Sequence, residues 1–151
     1  MEVVTGKLLF ADDEPWFFES FRYRLEKEGY EVVFTMSAKE TLNILDDSFS
    51  LLVLDIMMPE IPLVDLLKLG IDAVVSSIPK DIFTGISLFR KVREKYPDLK
   101  IIIYSVLPES DIRKKYPEMS FDCLFLQKGG LDNDEHYEIV HYNAKNSRRN
   151  W

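Results

Sequence analysis

The sequence predicts an α/β fold, a parallel sheet of five strands with helices on both faces. Three observations predict it. Short apolar runs recur along the 151 residues and alternate with amphipathic stretches at helical spacing. The runs are apolar at consecutive positions, as strands buried on both faces require. Charged or hydroxylated residues follow four of them directly, at the carboxyl edge where such sheets gather functional groups.

The first run, Leu8 to Ala11, stops at Asp12, Asp13 and Glu14. Pro15 lacks an amide hydrogen and so suits the first turn of the following helix. Phe17, Phe18, Phe21 and Leu25 recur at helical spacing, and Gly29 closes that helix. Tyr30 to Thr35 is β-branched and aromatic, a second strand. Ser37 with Glu40 is a capping-box pattern, and Leu42 and Leu45 supply the apolar face of the second helix. Leu51 to Leu54 is the third strand, ending at Asp55. Ile86 to Tyr96 reads as a helix with Leu88, Phe89 and Val92 inward. Ile101 to Tyr104 is the fourth strand, ending at Ser105, and Glu109 to Tyr116 a short helix. Cys123 to Gln127 is the fifth strand, ending at Lys128, and Asp134 to Ala144 a polar last helix. Residues 61–83 break the alternation. They are rich in leucine and valine and punctuated by prolines, with a short helix expected over Leu63 to Leu69.

This length fits one domain, 1–151, with a core over 7–128, an insertion over 61–83, and a last helix and tail over 129–151. No apolar run reaches the roughly 18 residues of a membrane span. Met1 to Lys7 lacks the apolar stretch of a secretion signal, and the single Cys123 cannot form an internal disulfide, so the cytoplasm is the expected compartment. A net charge of −7 argues against nucleic-acid binding, and the tail with Lys145, Arg148 and Arg149 is too short for a DNA-binding domain. His136 and His141 stand five apart, poor spacing for two ligands on one helix face, and read as surface residues.

The strand ends carry the chemistry. Asp12 and Asp13 follow strand one, Asp55 strand three, Ser105 strand four and Lys128 strand five. Carboxylates brought together repel, and a hard divalent cation such as Mg²⁺ relieves that repulsion. A carboxylate can attack phosphorus to give an acyl phosphate. An ammonium and a cation would neutralise phosphoryl oxygens, and a serine hydroxyl can donate to one. Singly, each residue has an ordinary reading: an acidic cluster favouring a helix dipole, a turn aspartate, a solvated lysine. Their joint occurrence in strand order favours the functional one.

These residues resemble the receiver domains of two-component response regulators. Leu8-Leu9-Phe10-Ala11-Asp12-Asp13-Glu14-Pro15 is similar to the family's first strand and acidic pair. Leu51-Leu52-Val53-Leu54-Asp55-Ile56-Met57-Met58-Pro59 is similar to its phosphorylation strand. Thr84 to Arg93 resembles the next turn and helix, Ile101 to Ser105 the strand ending in a switch hydroxyl, and Phe125-Leu126-Gln127-Lys128 the switch aromatic and lysine. The resemblance implies a flavodoxin-like doubly wound sheet in the order 2-1-3-4-5, with the insertion after strand three. It implies Asp55 as phospho-acceptor, and Mg²⁺ held by Asp12, Asp13, Asp55 and the main-chain carbonyl of Met57. Ser105 and Lys128 would hold the phosphoryl group, and Phe125 would change rotamer with Ser105, although ordinary core packing explains an aromatic there equally well. The implied donor is a sensor histidine kinase or a histidine phosphotransfer protein; the output partner is not implied.

Three departures stand out. Gly85 lies 30 residues after Asp55, about twenty-two more than the family spacing. Val106 replaces the small residue expected after the switch hydroxyl, narrowing access to Asp55, and Gly129 replaces the usual proline after the lysine. The insertion and Val106 motivate an alternative, a pseudo-receiver that binds partners independently of phosphorylation. A flavodoxin-like cofactor enzyme is a third reading. It needs a phosphate-cradling loop after strand one, where this chain has acids.

Overall fold

The computed structural model describes residues 5–58, 84–129 and 133–147. Strands β1 (Gly6–Ala11), β2 (Tyr30–Thr35), β3 (Leu51–Leu54), β4 (Lys100–Ser105) and β5 (Leu124–Gln127) form one sheet in the order β2-β1-β3-β4-β5. Every neighbouring pair is parallel. Among the described residues the α-helices are α1 (Glu19–Lys27), α2 (Ala38–Ile44), α3 (Thr84–Lys95), α4 (Glu109–Lys115) and α5 (Asn133–Lys145). This is the doubly wound sheet expected from the sequence.

Successive strand residues point to opposite faces. Leu9, Leu52, Leu54, Ile101 and Ile103 therefore pack with Leu88, Phe89 and Val92 of α3 and Ile112 of α4. Leu8, Phe10, Leu51, Val53, Ile102 and Tyr104 pack with Phe21 and Leu25 of α1 and Tyr137, Val140 and Ala144 of α5. Two-sided burial is why β3 is apolar throughout and β1 and β4 are apolar at consecutive central positions. Each such side chain contributes roughly 1.5–3 kcal/mol by leaving water.

Several local expectations change. The chain after Pro15 first makes a 3-10 turn (Pro15–Phe18), and the α-helix begins at Glu19. Phe18, Phe21 and Leu25 are buried as expected, while the Phe17 side chain lies outside the described residues. Gly29, at φ 94°, follows α1 in the left-handed region. The Ser37 hydroxyl accepts from the Glu40 amide at 3.1 Å, but the Glu40 carboxylate reaches back to the Met36 amide at 2.8 Å rather than to Ser37. Leu42 does not line the apolar face of α2. It is 37% exposed, and Ala38, Thr41 and Leu45 take the inner positions.

The last helix is a further correction. His136 is not a surface residue: it is 1% exposed, because 136, 137, 140 and 144 share one helix face and that face meets the sheet. His141 is half-buried, its ring stacked on Tyr137 at 5.6 Å. The expected Leu63 to Leu69 helix, with the rest of 59–83 and the basic tail from 148 onward, lies outside the described residues.

Candidate functional site

Strand register brings the acids together. Ala11 of β1 pairs with Leu54 of β3, so Asp12 and Asp55, the next residues of each strand, stand side by side. Their amides extend the ladders by one bond, Asp12 N to Thr35 O at 3.0 Å and Asp55 N to Ala11 O at 2.9 Å. Each carboxylate is then fixed by a local turn. Asp12 Oδ1 accepts from the Glu14 amide at 2.8 Å, and Asp55 Oδ1 from the Met57 amide at 3.0 Å. Both second oxygens meet Lys128, whose Nζ lies 2.7 Å from Asp12 Oδ2 and 3.3 Å from Asp55 Oδ2. Asp12, Asp55 and Lys128 keep at most 10% side-chain exposure. Asp13 is half-buried, and one oxygen from each of Asp12, Asp13 and Asp55 lies within 4.8 Å of the others.

One ammonium faces three carboxylates, and the protonation energetics show the imbalance. Asp13 is pushed up to about 6, by burial first and then by the charges of Asp55 and Asp12. Asp55 is raised by burial and by Asp12, against the opposing pull of Lys128 and the Met57 amide. Burial works against the Lys128 ammonium, but Asp55 and Asp12 outweigh it and raise its pKa. Converging hard oxygen donors with excess negative charge fit Mg²⁺, which prefers carboxylates and retained water.

The sign of the pH effect follows. A carboxyl whose folded pKa exceeds its ordinary value binds protons more tightly when folded, so stability falls as pH rises between those values. For metal-free protein, Asp13 therefore destabilises the fold above about pH 6. Asp13→Asn is expected to raise metal-free stability at pH 7.5 by about 1 kcal/mol, since solvent screens a half-exposed carboxylate. Mg²⁺ affinity of the parent should drop below pH 6, where Asp13 is protonated. Calorimetry across pH checks both, and a pH-independent affinity would contradict the assignment of Asp13.

Ser105 closes β4. Its buried hydroxyl accepts from the Leu107 amide at 3.2 Å, and its carbonyl accepts from the Lys128 amide at 2.8 Å, tying the ends of β4 and β5. Val106 is 55% exposed, so much of its bulk lies in solvent. Gln127 Nε2 donates to the Val106 carbonyl at 3.3 Å. Phe125 is half-buried on the α4 side, 5.5 Å from the Phe121 ring and 5.0 Å from the Arg113 guanidinium.

Gly85 reaches the same edge. Its amide donates to Ile56 O at 2.8 Å, and a Cβ on it would lie 2.4 Å from Ile56 Cα and 2.6 Å from Asp55 O. Despite its distance in sequence, Gly85 packs directly against the backbone of Asp55. Sequence reasoning placed the acids, Ser105 and Lys128 at one edge. It missed this approach and the buried Tyr104–His136 pair, which the helical spacing of His136, Val140 and Ala144 would have indicated.

The fold and the sequence match define the class: the chain has the receiver-domain fold of two-component response regulators. It is similar to the HemR receiver domain of Leptospira biflexa, with TM-score 0.68 and 18% identity over 97% of this chain and 99% of that one. It is similar also to a CheY-like receiver domain from Methanospirillum hungatei, with TM-score 0.65 and 20% identity over 94% and 95% of the two chains. TrrA of Thermotoga maritima, a response regulator solved in complex with Mg²⁺ and BeF, gives 0.61 at 25% identity over 91% and 98%. In sequence the chain is 41% identical to the response regulator SaeR of Staphylococcus aureus over 61 residues, which are 40% of this chain and 27% of that protein. No family model matches the chain. No helix among the described residues is long and apolar enough to cross a membrane.

Proposed function

We propose that the chain is a phospho-accepting receiver that takes a phosphoryl group on Asp55. The observation that carries this reading is the buried Asp55 carboxylate, fixed by the Met57 amide, paired with Lys128 and flanked by Asp12 and Asp13. An Asp55 oxygen attacks phosphorus, the bond from phosphorus to the donor's leaving atom breaks, and an aspartyl phosphate forms. Asp12, Asp13, Asp55 and the Met57 carbonyl would hold Mg²⁺. When bound, it neutralises charge on the phosphoryl oxygens. Lys128 is placed to turn from the carboxylates to a phosphoryl oxygen, and the Ser105 hydroxyl to donate to another. Movement of Ser105 would shift the loop after β4 and the Phe125 ring, changing a protein-interaction surface. The donor fitting this chemistry is a phosphohistidine on a sensor kinase or phosphotransfer protein. The site is read as a protein-phosphorylation site rather than a nucleic-acid interface, and its setting would be cytoplasmic.

Intact mass after incubation with Mg²⁺ and acetyl phosphate tests this. The parent should gain one phosphoryl group and Asp55→Asn none. An unmodified parent that binds Mg²⁺ would favour the pseudo-receiver reading, in which Asp55→Asn leaves partner binding unchanged.

A further inference from the structure

Beneath the acidic site lies a buried titratable pair that the phosphotransfer chemistry does not use. Tyr104 stands on β4, one residue before Ser105, and is fully buried. Its hydroxyl is hydrogen-bonded to His136 Nδ1 of α5, and the two rings meet edge to face, 5.0 Å apart at 87°. Phe18 packs on the Tyr104 ring at 5.3 Å, so the ring has little freedom to turn. Lys128 Nζ lies 5.9 Å from the centre of the Tyr104 ring, at the outer edge of cation–π range, while it holds Asp12 and Asp55. Burial, and then the Asp12 charge, push the Tyr104 phenol upward, so its hydroxyl stays neutral against the ring. The line from α5 to the phospho-acceptor thus runs His136, Tyr104, Lys128, Asp55.

We infer that His136 and Tyr104 are positioning residues for the Lys128 ammonium and couple α5 to the state of the acidic site. His136 fixes the tyrosine ring through its hydroxyl. The ring face in turn biases where the ammonium rests between the carboxylates and an incoming phosphoryl group. A change at Lys128 is then felt in α5, and the packing of α5 sets how readily Lys128 is delivered. The kinetic part of this inference rests on the receiver reading; the coupling itself does not.

The test has two arms. In the first, ring-nitrogen chemical shifts of the two histidines are recorded in the full chain. Lys128→Met, or Asp12→Asn should the first variant not fold, is expected to move the His136 signals and leave those of His141 in place. In a Tyr104→Leu background the His136 signals should no longer respond. His136 signals indifferent to both site variants would overturn the coupling. In the second arm, adduct formation from acetyl phosphate is timed at saturating Mg²⁺. His136→Leu should slow it about tenfold, the scale seen when a group orienting a site ligand is removed. His136→Asn, which keeps a polar atom near the Nδ1 position, should recover most of the parent rate. A purely packing role predicts the reverse order, with the apolar leucine better tolerated than asparagine, and that result would overturn the positioning role. If the parent forms no adduct, the receiver reading fails and the nitrogen shifts alone decide the coupling.

Discussion

Lys128→Met is expected to destabilise metal-free protein at pH 7.5 by about 3 kcal/mol, the low end for removing one partner of a buried ion pair. For a domain of this size that is a fall of about 8 °C in melting temperature. The ammonium sits 2.7 Å from Asp12 and 3.3 Å from Asp55, and all three side chains are nearly excluded from water. Removing it leaves two buried carboxylates facing each other with Asp13 beside them. Asp55, already raised by burial and by Asp12, should then take up a proton, which limits the loss. The deficit should therefore shrink at lower pH, as protonation replaces the missing charge, and shrink on adding Mg²⁺. Thermal melts of parent and variant across pH, with and without Mg²⁺, provide the check. A variant as stable as the parent at neutral pH would mean that Lys128 is effectively solvated. On the receiver reading, phosphoryl transfer should also fail in this variant even where the fold is rescued, because the ammonium proposed to meet the phosphoryl oxygens is gone.

Gly85→Ala should be equally costly, for a steric reason. The added Cβ would approach Ile56 Cα to 2.4 Å, Asp55 O to 2.6 Å and Ile56 O to 2.7 Å, and every one of these atoms is backbone. No side chain can swing away, so either α3 or the segment after β3 must shift. Overpacking of this kind costs about 3 kcal/mol, the upper end of its usual range. Because the displaced backbone carries Asp55, the variant should also bind Mg²⁺ more weakly than its residual stability alone explains. Denaturant titration should show a lower midpoint at unchanged slope, the signature of lost stability rather than altered compactness. A midpoint within error of the parent would show that the segment after β3 yields freely. The neighbouring substitution Ser87→Ala, at an exposed position of the same helix, serves as control.

The alternation of apolar runs and amphipathic helices was legible in the sequence because burial on both faces makes the central strands apolar at consecutive positions. The parallel order followed from the resemblance, and the pairing of Ala11 with Leu54 then places Asp12 beside Asp55. Residues at strand ends are legible for a simple reason: the strand itself carries them to the edge, whatever the rest of the chain does.

What the linear pattern did not decide was anything requiring two distant segments to meet. Lys128 was assigned to an edge, but its bridge between Asp12 and Asp55 depends on the stacking of β5 beyond β4. Leu42 matched helical spacing yet faces solvent, because α2 is short and turns Ala38 and Thr41 to the sheet. His136 looked like a surface residue of a polar helix. Docking of α5 over β4 buried it and supplied the Tyr104 hydroxyl as its partner. Gly85 seemed displaced from the site by thirty residues of chain, yet it packs on the Asp55 carbonyl. Sequence by itself determined the strands, their burial and the residues at their ends, because periodicity and local chemistry act over a few residues. Only the tertiary structure decided which of those residues touch, because contacts across 30 to 116 positions depend on how helices and strands pack.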